Sequence, residues 1–402
     1  MKNVLIASFD MEVGGVERSL VSMLNNFDYK SHKIDLMLYS HTGDFLDQLP
    51  KESNLLPENP EYKSFRLPIL ALVKNRRIRL AMSRLMAKYR ASLHRASENG
   101  YRQMQYMWKY SISYLPKLEK EYDVAISYLW PHYFVAEKVK AKKKIAWIHT
   151  DYSTIDTDKE IDVLMWDKFN FIIAVSDECK EAFVKKYPCL EEKTLVIENI
   201  NSPEVITSLA GEKVDNPMIR DPRFKIVTIA RLSHAKGIDN AVKALRMLID
   251  QGHKNIAWYV VGNGGDEQKI KNLIKKNKLE NNFFLLGKKI NPYPYLIEAD
   301  IYVQPSRYEG KAVTVTEAKI LGKPILVTNF PTAKSQLNNG IEGIICDLSV
   351  EGISKGILSM YEDKFKRDSL REYLLMQDYR NNKELDKLYI TIDKNYKKEL
   401  GT

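Results

Sequence analysis

Short apolar, β-branched runs alternate with stretches of helical periodicity along nearly the whole chain, and they do so in two successive series. Runs that lack polar alternation belong to strands covered on both faces, as crossover helices on a parallel sheet produce. The first series predicts strands at residues 4–9, 34–39, 124–128, 145–149, 171–175 and 195–198. The second predicts them at 226–230, 257–261, 283–286, 301–304, 325–328 and 344–346. Between the series, residues 202–222 read as irregular and polar, with three prolines, and mark a domain boundary. The expectation is an α/β protein of two doubly wound domains, residues 1–205 and 222–375, followed by a terminal helix over 376–402 that returns to the first. No fixed-period repeat or low-complexity tract interrupts the pattern.

At 402 residues and 46.6 kDa the chain exceeds the usual reach of one core, in agreement with two domains. No run approaches the ~18 apolar residues of a membrane span. The opening Met1-Lys2-Asn3-Val4-Leu5-Ile6 reads as a first strand and not as a signal peptide. Three scattered cysteines, Cys179, Cys189 and Cys346, form no Cys-x-x-Cys pair, which argues against a disulfide frame or a zinc site. A reducing, cytoplasmic setting is expected.

The segment from Ala299 to Pro324 carries the most chemistry. It opens as a strand, breaks at Pro305-Ser306 and resumes as a helix from about Val313. Glu309 then precedes the helix and Glu317 lies about one turn inside it. Unpaired amides at a helix N-terminus favour an anion such as phosphate. Two flanking carboxylates would repel that phosphate but accept hydrogen bonds from hydroxyls on either side of it. A phosphate between two hydroxyl-bearing sugars, as in a nucleotide-sugar, suits such a site.

Glu309-x7-Glu317, set in Pro-Ser-x-x-Glu-Gly and followed by Glu-Ala-x-x-x-Gly-Lys-Pro, resembles the donor signature of glycosyltransferase family 4. That resemblance implies the GT-B fold, two Rossmann-like domains facing across a cleft, and transfer with retention of anomeric configuration. Further motifs fall at strand ends. Arg231 and Lys236, in Arg-x-x-x-x-Lys-Gly, match the family's cationic element and would stabilise a departing diphosphate. Gly262-Asn263-Gly264-Gly265 matches a turn lining the nucleotide pocket, and Lys288-Lys289-Ile290 a loop placed against the base. Lys311, Ala312 and Val313 open the helix at the donor. Gly14-Gly15, with Glu17 in the following helix, matches a loop touching acceptor or donor phosphates; Gly15 is assigned to the donor and Glu17 to the acceptor. His149, closing a strand of the first domain, matches a histidine that hydrogen-bonds the donor sugar near the reacting carbon. His132 is a further acceptor-side candidate.

Asp156-Thr157-Asp158 has the Asp-x-Asp form that transferases of another fold use to hold a metal. Here it precedes a helix, where acids stabilise the N-terminus, and no metal is expected. Lys311-Ala312 stand where many family members have an aromatic residue and a proline, so sugar specificity does not carry over.

The resemblance is absent between about residues 50 and 114. Residues 63–117 hold thirteen Lys or Arg and one acid, Glu98. Ile78, Met82, Leu85, Tyr89 and Leu93 recur at helical spacing, with Arg77, Arg84, Lys88 and Arg95 on a second face. An anionic membrane surface, a solvated helical insertion and a nucleic-acid patch remain as readings, and no nucleic-acid motif accompanies the charge.

The expected function is a retaining hexosyl- or N-acetylhexosaminyltransferase using a nucleotide-sugar, a UDP-sugar favoured. Its acceptor would be a glycan or lipid-linked chain in cell-surface polysaccharide synthesis, and the enzyme could sit peripherally on the inner face of the membrane. A nucleotide-sugar isomerase on the same fold and a non-catalytic membrane-surface protein are the alternatives.

Overall fold

The computed structural model describes residues 1–94 and 100–393. Arg95 and Glu98 of the basic stretch, and the end of the terminal segment, lie outside them.

The chain forms two units. One comprises Met1–Glu12, Val16–Asn199 and the segment from Asn382; the other comprises Val13–Gly15 and Ile200–Asn381. In the first unit seven strands form one sheet: β1 (Lys2–Ser8), β2 (His32–Leu38), β3 (Asn54–Leu55), β4 (Glu121–Ser127), β5 (Lys140–Ile148), β6 (Phe171–Ala174) and β7 (Thr194–Val196). Their order is β3-β2-β1-β4-β5-β6-β7, and every pairing is parallel. The second unit holds β8 (Phe224–Ile229), β9 (Ile256–Val261), β10 (Phe283–Gly287), β11 (Ile301–Gln304), β12 (Ile325–Thr328) and β13 (Gly343–Cys346). These run β10-β9-β8-β11-β12-β13, again all parallel. All twelve predicted strands are present. This is the doubly wound α/β architecture expected from the alternation.

Alternate residues of β9 show why the runs are continuous. Ile256, Trp258 and Val260 join one core cluster and Ala257, Tyr259 and Val261 join another, so helices must cover both faces. Each sheet reverses direction of growth once, between β1 and β4 and between β8 and β11. Ligands of open α/β sheets bind outside the carboxyl ends of the strands at such points.

Two elements differ from expectation. The stretch 202–222 is not wholly irregular: Pro203–Ala210 is a helix, with its proline in the first turn, where the missing amide costs nothing. Strand β3 is a two-residue exposed edge with no apolar run to announce it.

The insertion between β3 and β4 is helical. Its inner helix, Gly100–Ser111, is bound into the first core: Trp108 is fully buried and stacks on Phe65 at 4.3 Å between ring centroids. Arg102 clasps Asp156, and Gln105 bonds Asp158 and Asp162. The outer helix, Ile78–Ser92, packs on the inner one through Ala81, Ser83, Ala87 and Ala91, with Ser83 Oγ donating to the Tyr110 carbonyl at 3.1 Å. The helix Lys383–Asp393 belongs to the first unit. Tyr389 stacks on His32, and Lys143 Nζ caps the carbonyls of Thr391 and Ile392 at 2.8 Å each. Cys179, Cys189 and Cys346 are all free thiols. No helix among the described residues is long and apolar enough to cross a membrane.

Candidate active site

In the second unit the loops leaving β8, β9, β10 and β11 are stitched together by backbone. Ala230 N bonds the Val261 carbonyl, Leu232 N the Asn263 carbonyl, Gly262 N the Gly287 carbonyl and Arg307 N the Ala235 carbonyl, at 2.7–3.0 Å. Two glycines permit the close approach. Gly237 has φ +63°, and a Cβ there would stand 1.9 Å from the Pro305 carbonyl oxygen. At Gly262, φ +143°, a Cβ would meet the Ala230 oxygen at 2.0 Å. Arg307 reinforces the seam through Asp239, with two bonds of 2.8 Å.

Glu309 sits in this seam beside the β8/β11 reversal, 7% exposed. A carboxylate so enclosed must be paired and hydrogen-bonded. Lys236 Nζ meets both of its oxygens at 2.6 Å. Ser306 Oγ donates to Oε1 at 2.6 Å and Gln304 Nε2 at 2.9 Å. Gln304 Oε1 in turn accepts from Tyr302 and Thr314, which fixes the amide: reversed, it would turn an oxygen on the carboxylate. The following loop is held from helix Ala333–Gln336. Gln336 accepts from Ala312 N at 2.7 Å and donates to the Gly310 carbonyl, while Thr332 Oγ1 donates to the Glu309 carbonyl at 3.0 Å. One carboxylate is thus fixed in position and orientation at a strand end, ahead of helix Val313–Ile320.

Other expected donor residues distribute around it. Glu317 is buried in that helix and accepts from Tyr293 OH at 2.9 Å. Arg231 is exposed in the β8 loop and Asn263 in the β9 loop. Lys288 is partly buried, Lys289 lies over the Tyr295 ring, and Ile290 is exposed. Ala312 and Val313 form the N-cap and first residue of their helix, with Lys311 partly exposed before them. Lys236, expected with Arg231 at the diphosphate, is clasped to Glu309, a pairing not foreseen from the sequence.

Gly15, grouped with the second unit, opens helix Gly15–Asn25, and Glu17, in the first unit, is buried in the first turn of that helix. His149 follows β5, its ring 4.7 Å from that of Tyr128, and its Nε2 is sealed from solvent without a hydrogen-bond partner. Burial lowers its pKa to about 3, so it is neutral at pH 7. His132 corrects the expectation. It has no exposed surface, packs on Trp166 and Phe169, and shares a 2.8 Å bond between Nδ1 and Ser127. It is a core side chain that an acceptor does not reach. Burial, and then the nearby His149, push its pKa to about 3. Ser8 Oγ, His149 Nε2 and Asp151 Oδ2 are buried polar atoms lacking partners, and they lie at the carboxyl ends of β1 and β5. Such a concentration of unmet groups is what water or a polar ligand would satisfy.

Asp156 is consumed by Arg102, and Asp158 caps helix Lys159–Trp166 through Ile161 N. No group of three or more His, Cys, Asp or Glu among the described residues is placed to hold a metal ion. Gln304, Ser306, Thr332 and Gln336 were given no site role from the sequence, although Ser306 stands inside the quoted motif. Their polarity inside or beside buried strand ends was the available signal.

Residues 212–374, within the second unit, match the family model for glycosyl transferases group 1. An uncharacterized glycosyltransferase of Methanocaldococcus jannaschii is 26% identical over 170 residues, 42% of each chain. The poly(glycerol-phosphate) alpha-glucosyltransferase of Bacillus subtilis is 27% identical over 167 residues, 40% of this chain and 25% of that one. The matches thus span less than half the length of either relative. Over the whole fold, the Anabaena HepE structure in complex with UDP and glucose superimposes with a TM-score of 0.71 at 16% identity, covering 98% of this chain and all of that one. The architecture is therefore that of the GT-B glycosyltransferases.

Proposed function

We propose that the protein is a glycosyltransferase that moves a hexosyl or N-acetylhexosaminyl group from a nucleotide-sugar, with retention, to a glycan or lipid-linked acceptor of a cell-surface polysaccharide. The observation that carries this reading is Glu309: a buried carboxylate, rigidly held at the β8/β11 reversal inside the segment matched by group 1 transferases. Donor binding is assigned to the second unit. Glu309 takes hydroxyls of the transferred sugar, and Glu317 those of the ribose. Arg231, with Lys236 and the amides opening helix Val313–Ile320, takes the diphosphate. Gly15 adds backbone to the phosphates, the 262–263 turn lines the nucleotide pocket, residues 288–290 face the base, and Lys311 reaches a phosphate. His149, neutral and with an unsatisfied Nε2, is assigned to a hydroxyl of the donor sugar, and Glu17 to the acceptor.

Cleavage of the glycosidic bond pushes its electron pair onto the leaving phosphate oxygen. The acceptor hydroxyl attacks from that same face, and the phosphate receives its proton. Fixed cations stabilise this charge most where it is greatest, in the transition state. A UDP-sugar is the favoured donor, since HepE is described in complex with UDP-glucose. No metal is required in this scheme, and a cytoplasmic setting follows from where nucleotide-sugars are held.

A thermal-shift panel of UDP-, GDP- and ADP-sugars tests the reading: a ligand at about 100 times its Kd raises stability by ~2.7 kcal/mol. Glu309→Gln should retain the fold and lose transfer. Wild-type turnover in that variant, or conversion of donor to another nucleotide-sugar without acceptor, would overturn it.

A further inference from the structure

The outer helix of the insertion, Ile78–Ser92, turns its large apolar residues away from the protein. Its buried face is one leucine among small residues: Leu80, Ala81, Ser83, Ala87 and Ala91. Ile78, Met82, Leu85, Met86 and Tyr89, with Leu93 just beyond, are between 49% and 68% exposed. At about 100° per residue these six fall in an arc of roughly 100°, one continuous stripe. Exposed Arg79 and Arg90 flank it on one side and exposed Lys88 on the other. Leu70 and Val73, on the preceding helix Ile69–Lys74, add further exposed apolar surface, and Lys74 and Arg76 further exposed charge. Arg77 and Arg84 do not belong to this face. Arg77 is turned onto the Pro60 carbonyl and Glu61, and Arg84 onto the Leu67 carbonyl, half-buried. This corrects the second face expected from the sequence.

An insertion that merely packed on its unit would bury the stripe and expose the alanines. The reverse holds, so a partner must account for the apolar face. The flanking charge selects it. A second copy would bring the same basic rim against itself. A nucleic acid would match the charge but leave six apolar side chains against phosphate. An anionic bilayer satisfies both at once, taking the apolar stripe into the acyl boundary while the basic rim meets the head groups.

We propose that the helix Ile78–Ser92 is a membrane-docking element that lies in the plane of an anionic bilayer, inserting Met82, Leu85, Met86 and Tyr89. The inner helix supplies the rigid base, through buried Trp108 and the Arg102–Asp156 pair. The proposal needs neither donor nor acceptor, so it stands or falls independently of the transferase reading.

The experiment is co-sedimentation of the full-length protein with sucrose-loaded phosphatidylcholine vesicles, with and without phosphatidylglycerol. Wild type is expected to bind only the anionic vesicles and to be released by salt as the screening length shortens. Lys74→Gln/Arg79→Gln/Lys88→Gln should weaken binding by about a hundredfold at low salt, at roughly fivefold per basic residue. Met82→Gln/Leu85→Gln/Met86→Gln/Tyr89→Ser, all at exposed positions, should keep its far-UV circular dichroism and lose binding at least tenfold. Leu85→Trp should shift its emission to the blue on anionic vesicles. The proposal is overturned if wild type stays in the supernatant, if the apolar variant binds as wild type does, or if the tryptophan emission does not move. Dimers of wild type that fall apart in the apolar variant without vesicle binding would assign the face to a second copy. Binding of RNA without vesicle binding would assign it to nucleic acid.

Discussion

Removing either partner of the Lys236–Glu309 pair should cost far more than removing both. In Lys236→Met the Glu309 carboxylate stays enclosed with the Ser306 and Gln304 donors but no cation. Breaking a buried pair from one side ordinarily costs about 3–5 kcal/mol. Lys236 is 24% exposed along its side chain, so water reaches one edge of the gap and the cost falls at or somewhat below the lower end. A loss of about 2–3 kcal/mol corresponds to a fall of about 4–12 °C in the Tm of a unit this size. Glu309→Gln leaves the ammonium facing an amide that cannot neutralise it, and turns an NH2 toward donors already present, at a similar cost. In Lys236→Met/Glu309→Gln no charge remains to be solvated, so the double variant should be more stable than the sum predicts. The coupling should be about 2 kcal/mol, well outside the ~0.5 kcal/mol expected of independent sites. Urea unfolding of the wild type and three variants, followed by tryptophan fluorescence, measures it. Additive losses, or a Lys236→Met variant as stable as wild type, would show that the pair is solvated in solution and that Glu309 is not locked.

Three further outcomes are expected. His132 and His149 are held neutral, with folded pKa values near 3 below the ~6.5 of an unfolded chain, so the unfolded state binds more protons between these limits. Their contribution is therefore whole above about pH 6.5 and is lost as pH falls toward 3, by up to ~1.4 kcal/mol per pH unit for each; urea titrations at pH 7 and 5 should show a shallower slope in His132→Gln. Gly237→Ala, which combines φ +63° with overlap on the Pro305 oxygen, should destabilise by about 3 kcal/mol and lower transfer, read by urea unfolding and a coupled UDP-release assay. If, as proposed, fixed cations and helix amides meet the diphosphate, transfer should survive EDTA, and under the proposed same-face attack the product should keep the donor's anomeric configuration by NMR.

Strands and site differed in how far the sequence revealed them. The buried strands were legible because parallel sheets impose unbroken apolar runs such as Ile-Ala-Trp-Tyr-Val-Val in β9, a pattern few other structures need. Asn54–Leu55 carries no such imprint, because an exposed edge asks little of its side chains. Pro203 was misleading for a physical reason: the residue that breaks a helix inside also starts one at its first turn. Helical spacing located the stripe from Ile78 to Leu93, but periodicity is blind to which face turns inward. Only Ala87 and Ala91, small residues set around Leu80 on the opposite side, hinted that another helix would approach there. Gln304, Thr332 and Gln336 went unread because their roles are hydrogen bonds to a loop assembled from distant segments.

Lys236 marks the limit of reading charge from sequence. Two cations five residues apart in one loop look equivalent, and both were expected on a diphosphate. Burial separates them: Arg231 is exposed, while Lys236 satisfies a carboxylate that would otherwise be intolerable where it lies. The two roles are nonetheless compatible. An ammonium has three donors, and the two directed at Glu309 leave a third without a protein partner among the described residues. A phosphate oxygen arriving at the β8 loop could take that third donor without disturbing the pair. Lys236 would then join the anion to the carboxylate beside it, and the like-charge repulsion between them would be offset by the cation they share. On this reading the ion pair is part of the binding site in its waiting state, and Arg231 is the more exposed of the two cations proposed for the diphosphate.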